Sequence, residues 1–311
     1  MDREALLKTA AARLGRLGFD VFSSSEIGGC FDIACRKSGT LYLIKALSNI
    51  DSLDSASARQ LETVSQVLGA TCLVIGERSK SYVLEDDVAY ERHGILACTV
   101  GTMESIVGGG QVLERKFNRM MSRLDGESLR KLRESRDLSI SELARLSGIS
   151  EDTIYRYEHS LTLATPRNIG LLESALGTGI ERLDVVPKHG AAPVKAAPPG
   201  MIFDFVGFSS VNTAGPADLV GSNARGAKAQ KGICGGKMNL VLERDRDIRT
   251  LEKKCAQFER LSEAISANPF FIVRRAAKSR IGAIPALTHE EIAKIGSPEE
   301  LLRALGEKRR R

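Results

Sequence analysis

The chain has 311 residues, 42% of them hydrophobic and 27% charged, with a net charge of +6 and a pI near 9.0. That length points to two or three domains, and the composition excludes disordered and fibrous classes. No apolar run approaches the ~20 residues that span a bilayer, and the cysteines (Cys30, Cys35, Cys72, Cys98, Cys234, Cys255) form no CxxC pair and have no histidine at metal spacing.

The opening, MDREALLKTAAARLGRLGF, has the spacing of an amphipathic helix over about 3–17. It carries acids and lacks the continuous apolar core of a signal peptide, so a cytoplasmic protein with reduced thiols and no membrane partner is expected. Strands follow at FDVFSS, FDIACRK and TLYLIKAL, then a helix at SARQLETVSQVLG and a strand at TCLVIGE. Further short strands and a helix lead to the glycines at 108–110. Mixed strands with helices on both sides predict an α/β layer fold for residues 1–108.

Asp32 follows the Gly28-Gly29 turn, and Lys45 lies on the next strand. This arrangement resembles the restriction-endonuclease-like fold. In that fold an Asp, and an acid two residues before a Lys, hold Mg²⁺ while the lysine assists charge development on phosphate. Here the second acid's position is Leu43, and an apolar side chain cannot coordinate a hard cation. Glu4 and Glu26 do not have the required spacing. The resemblance therefore implies the fold without its chemistry: no catalytic residues, no metal site and no cofactor are expected, since fold does not confer function.

Residues 109–186 read as an all-α module. ESLRKLRESRD carries Leu129 and Leu132 among charges. SISELARLSG starts with Ser139 and Glu142 at capping-box spacing. Gly148 permits a tight turn, Ser150 caps the helix EDTIYRYEHS, and Thr165-Pro166 starts another. Four or five short helices result, the second and third joined by a short turn. Each alone is marginal, so they must share a core. The residues spaced for it are Leu132, Leu138, Leu143, Ala144, Ile149, Ile154, Leu172 and Leu176.

LRKLRESRDLSISELARLSGISEDTIYRYEHS, with the closing LLESALG, resembles the helix-turn-helix domain of phage repressors, the Cro and Xre type. That resemblance implies a reading helix that enters the major groove of double-stranded DNA. It places Glu151, Asp152, Tyr155 and Arg156 at base edges, with Ser150 and Thr153 nearer the phosphates. It also implies that Arg133 and Glu158 form a structural ion pair. The two acids suit a helix N-terminus electrostatically, and an acid can accept from the cytosine amino group. Residues 127–177 carry seven basic and eight acidic side chains, a net charge of −1. Phosphate attraction must come from elsewhere. The candidates are Arg115, Lys116, Arg119 and Arg123, the basic loop within 225–237, and Lys308 to Arg311, where the ending EKRRR reads as a frayed tail.

PKHGAAPVKAAPPG, residues 187–200, reads as a semi-rigid linker. Residues 201–311 form a third, α/β segment that repeats the order of the first. ADLVGS answers FDIACR, with Asp218 answering Asp32, and MNLVLERD answers LYLIKALS. TLEKKCAQFERLSEAIS before PFFIVRR answers SARQLETVSQVLG before TCLVIGE, and IPALTHEEIAKI answers ILACTVGTMESI. The whole order, with YLIKALSNIDS and YERHGI, resembles a family of archaeal helix-turn-helix transcriptional regulators. It implies a sequence-specific, non-enzymatic, dimeric DNA-binding regulator. Two alternatives stay open: a metal-dependent nuclease targeted by the helical module, and a protein-interaction module that does not bind DNA.

Overall fold

The computed structural model describes residues 2–24, 29–110, 112–116, 119–183, 209–212, 219–222, 238–242, 248–265, 267–273 and 279–310. Glu26, Gly28, the linker 187–200, Asp218 and the basic loop 225–237 lie outside the described residues. The chain forms two compact units. One holds Met1–Ser48, Ser52–Val74 and Pro187–Arg311; the other holds Asn49–Asp51 and Ile75–Val186.

The first unit begins with α1 (Arg3–Arg16), capped by the Asp2 carboxylate, which accepts from the Ala5 N–H at 2.8 Å. Its apolar stripe buries Leu6, Leu7, Ala10 and Leu14. Strands β1 (Asp20–Ser23), β2 (Ile33–Lys37) and β3 (Thr40–Ala46) follow as an antiparallel meander, in register from Asp20↔Arg36 and Lys37↔Thr40. Ser38 and Gly39 form the β2–β3 turn with φ of 48° and 84°, the left-handed geometry that matches the twist of a two-residue hairpin. Helix α2 (Ser55–Leu68) starts at the Asp54 cap and ends at Gly69, φ 56°. In β4 (Thr71–Ile75) every residue is buried, so its apolar residues run continuously instead of alternating. The strand order of this part is β1-β2-β3-β4.

The second unit contains β5 (Val88–Arg92), β6 (Ile95–Cys98), α3 (Val100–Val107), β7 (Leu113–Lys116) and β8 (Arg119–Met121), in the order β6-β5-β7-β8. Helices α4 (Gly126–Glu134), α5 (Ile140–Ser147), α6 (Glu151–Glu158) and α7 (Pro166–Leu176) follow. The backbone after β8 anchors them. Ser122 and Ala164 exchange two hydrogen bonds of 2.8 Å, the Asp125 N–H donates to the Glu181 carbonyl at 3.0 Å, and the Leu183 N–H donates to the Arg123 carbonyl at 2.9 Å.

The chain then returns to the first unit through β9 (Ser209–Asn212), β10 (Leu219–Ser222), β11 (Met238–Leu242), α8 (Ile248–Ala264), β12 (Phe271–Val273), β13 (Arg280–Ile281), β14 (Ile284–Thr288), α9 (His289–Ala293) and α10 (Pro298–Arg310). The sheet order is β13-β14-β12-β11-β10-β9. The antiparallel run β9-β10-β11, then α8, then β12 repeats β1-β2-β3, α2, β4. The hairpin β13–β14 followed by α9 has the form of the hairpin β5–β6 followed by α3. The two halves of the first unit also exchange helices: α2 packs on β9 and β10, and α8 packs on β1 and β2. The Arg36 guanidinium on β2 donates to the Ile265 carbonyl beyond α8 at 2.7 Å. Of the ending expected to fray, residues 307–310 are instead the last turn of α10, and Arg311 lies outside the described residues. Leu301 and Leu305 are buried, and Lys308 reaches the Ala286 carbonyl at 3.0 Å and Glu291 at 2.7 Å.

Candidate nucleic-acid interface

Helices α4–α7 close around Leu129, Leu143, Ile149, Ile154, Tyr157, Ile169, Leu172 and Leu176, all buried. Leu143, Ile149, Ile154, Leu172 and Leu176 are where their spacing predicts. Leu132, Leu138 and Ala144 are only partly buried, and Leu129, one turn earlier on α4, is the fully enclosed residue. Leu124, Ala164 and Ile180, from the segments flanking the helices, also complete the core. These lie outside any helical period, so no repeat in the sequence points to them.

The local signals act as the sequence reading expects. The Glu142 N–H donates to the Ser139 hydroxyl at 3.2 Å, and the Ser139 N–H donates to the Glu142 carboxylate at 2.8 Å, a reciprocal capping box. The Ser139 N–H, and next its hydroxyl, hold the Glu142 carboxyl below its ordinary value. Gly148 takes φ 71° after α5, Ile149 plugs the core, and the Ser150 hydroxyl caps α6 by accepting from the Thr153 N–H at 3.3 Å. Thr165 caps α7, with Pro166 at its first position.

Two features fix the position of α6. A methyl group on Gly126 would lie 2.3 Å from the Glu158 carbonyl oxygen and 2.6 Å from that of Tyr157, so α4 meets the end of α6 backbone to side-chain-free backbone. Beside this contact Arg133 grips Glu158 with two hydrogen bonds, Nε to Oε1 at 2.6 Å and Nη2 to Oε2 at 3.0 Å, and donates to the Leu138 carbonyl at 2.8 Å. The Glu158 side chain is 1% exposed and that of Arg133 10%. Glu158, as hydrogen-bond partner, holds the Arg133 guanidinium above its ordinary value. The pair sits away from the outward face of α6, in a structural position.

That outward face carries Glu151, Asp152, Tyr155 and Arg156, all exposed, with Ser150 exposed at the cap and Thr153 half-buried. The two hydroxyls Ser150 Oγ and Thr153 Oγ1 lie 2.7 Å apart. Arg156 Nε is 3.0 Å from Asp152 Oδ2. The Tyr155 ring stacks on His159, with centroids 4.0 Å apart, and His159 Nδ1 is 2.8 Å from the Tyr155 carbonyl. The sequence reading did not include His159; its i, i+4 spacing from Tyr155 was the available signal. Of the expected phosphate clamp, Arg115 faces Glu85 at 3.4 Å and lies over the Tyr82 ring, and Arg123 faces Glu114 at 3.5 Å. Both would meet phosphate only by loosening these partners. Arg309 and Arg310 are exposed on α10.

The nuclease-like cluster is closed by cations. Asp32 is fully buried; its Oδ1 accepts from Arg3 Nη2 at 2.7 Å and from Lys45 Nζ at 3.3 Å, and its Oδ2 accepts from the Ala46 N–H at 2.8 Å. Lys45 also donates to the Gly29 carbonyl at 2.5 Å. Leu43, at the second acid's position, is buried with no exposure. Among the described residues no cluster of three His, Cys, Asp or Glu side chains could hold a metal ion. Mg²⁺ needs oxygen ligands in octahedral geometry, and these residues do not fit it. The described cysteines are all buried, and burial pushes the Cys35 and Cys98 thiols up to about 12, which keeps them as inert thiols. Among the described residues no helix is long and apolar enough to cross a membrane.

Comparison with known proteins gives two family matches. Residues 3–112 match a PD-(D/E)XK superfamily domain, and residues 129–183 match a helix-turn-helix family. A "Putative HTH-type transcriptional regulatory protein" of Methanothermobacter thermautotrophicus is 31% identical over 99% of this chain and 98% of its own length. Proteins with the same name from Pyrococcus horikoshii and Archaeoglobus fulgidus are each 28% identical, over 97% and 98% of this chain and the same shares of their own lengths. No solved structure matches the chain.

Proposed function

Since the chain belongs to the family of archaeal HTH-type transcriptional regulatory proteins, we propose that it binds double-stranded DNA through α6 and regulates transcription without cutting its target. The observation that carries this reading is the outward face of α6. A capped helix is locked at its C-terminal end by Arg133–Glu158 and Gly126, while Tyr155, Arg156, Asp152 and Glu151 stay free of the core. A helix so held presents the same side chains to a groove each time, as direct base readout requires. One reading helix covers a half-site, so the protein acts as a homodimer on a two-fold-related site. Because the helical module itself is near-neutral, salt-dependent affinity is assigned to basic residues outside it.

The PD-(D/E)XK match favours a second reading, a nuclease guided by the helical module. Against it stand Leu43 and the commitment of both Asp32 oxygens to Arg3, Lys45 and the Ala46 N–H. One experiment separates the readings. The full chain is incubated with a random duplex library at two salt concentrations with Mg²⁺ present, and the retained DNA is sequenced and sized. A two-fold-related motif, weaker retention at high salt and uncut DNA are expected. Cut DNA would replace the regulator with the nuclease. No retention would leave a protein partner as the ligand of the helical module.

A further inference from the structure

On the reading that α6 contacts DNA, we infer that Asp152 is a positioning residue: it holds the Arg156 guanidinium so that its outer fork reads guanine, and it masks that charge from phosphate. The two side chains lie one helical turn apart, with the acid on the N-terminal side, the favourable order along a helix. Asp152 Oδ2 meets Nε of Arg156 at 3.0 Å, and both side chains remain well exposed, at 68% and 56%. A guanidinium has five N–H donors in a fixed plane. With Nε the guanidinium atom nearest the Asp152 carboxylate, Nη1 and Nη2 are the donors left to serve a base edge. Two such parallel donors match O6 and N7 of guanine in the major groove.

The same contact gives one of the two acids at the start of this helix, Asp152, a role beside DNA. A lone arginine is drawn to any phosphate, whatever the sequence. Beside a carboxylate its net attraction to the backbone falls, while its donors toward a base edge are kept. Affinity for arbitrary duplex decreases and discrimination among base pairs increases, a specificity gained partly by disfavouring the wrong site. The neighbouring pair supports an ordered face: Tyr155 is stacked on His159, again one turn away.

The test uses the full-length chain as wild type and as Asp152→Ala, Asp152→Asn and Arg156→Ala. Each is taken through random-duplex selection and through binding to one arbitrary duplex at two salt concentrations. Wild type should select a motif with a G·C pair at which Arg156→Ala loses its preference. Asp152→Ala should lose preference at that same pair and bind the arbitrary duplex several-fold more tightly. Asp152→Asn keeps an oxygen beside Nε and drops the charge. It should retain the guanine preference while also gaining arbitrary affinity, which a merely structural role would not produce. Unchanged preference in Asp152→Ala, or an Arg156-sensitive pair other than G·C, would overturn this inference and leave DNA binding intact. A motif indifferent to Arg156→Ala would do the same. Wild type that selects no motif would overturn both.

Discussion

Glu158→Leu isolates what the buried ion pair contributes. The substitution leaves the Arg133 guanidinium, 10% exposed, with the Leu138 carbonyl at 2.8 Å and the half-exposed Glu134 carboxylate at 3.7 Å. Removing one member of a buried pair costs about 3–5 kcal/mol, and these remaining partners favour the lower end, about 3 kcal/mol. The second variant, Arg133→Met with Glu158→Leu, removes both charges. It should recover all but about 1 kcal/mol, the residue being the Leu138 carbonyl left without its donor. Hydrogen exchange of the α4 and α6 amides in the full chain reads the local opening free energy. A loss of about 3 kcal/mol corresponds to exchange roughly a hundredfold faster in the single variant. An acceleration below about fivefold (~1 kcal/mol), or a double variant as labile as the sum of its parts, would refute the assignment of this pair to stability.

Leu129→Ala, at a side chain with no exposure, should destabilise the helical module by about 2–5 kcal/mol. Leu132→Ala, at a partly buried position, should cost clearly less in the same exchange measurement. Gly126→Ala should separate α4 from α6, since the new methyl meets backbone oxygens at 2.3 and 2.6 Å that cannot swing aside. A loss of about 1–3 kcal/mol or more is expected from such overpacking. Gly170→Ala, inside α7 with nothing within 4 Å, should instead stabilise by about 0.5–1 kcal/mol through helix propensity; the same sign for both glycines would show that the close approach is wrong. Glu142 is held below its ordinary 4.5. A depressed folded-state value means that its stabilisation of α5 is present above 4.5 and is lost as pH falls through the folded-state value. A carboxyl titration of Glu142 by NMR should therefore have a midpoint under 4.5, and a midpoint at or above it would remove the capping-box contribution.

The helical module was legible because its signals are local. Ser139 with Glu142, Gly148, Ser150 and Thr165-Pro166 act within a few residues of themselves, so spacing alone predicted α5, α6, the turn between them and the start of α7. The choice of Glu151, Asp152, Tyr155 and Arg156 as the outward face of α6 comes from the resemblance to phage repressors, not from spacing; helix geometry adds only that such positions share a side. The strands β1, β2 and β3, and the likeness of β10 and β11 to β2 and β3, were also readable, since a short apolar run survives duplication; β9 and the antiparallel pairing were supplied by the fold.

Long-range choices were not readable. The sequence alone shows that Leu43 lacks a carboxylate; only the fold reveals that Arg3, from the first helix, takes the oxygen of Asp32 that a metal would need. Leu129 and Leu132 are both apolar on α4, and only the assembled module shows that Leu129 is the fully enclosed one. The ending EKRRR has the composition of a loose tail, yet Leu301 and Leu305 are buried where α10 packs on β14, and residues 307–310 continue that helix. The exchange of α2 and α8 between the halves of the first unit is a packing decision of the same kind. An amphipathic helix specifies that one face must be covered, and the sheet that covers it is set by the assembled tertiary structure.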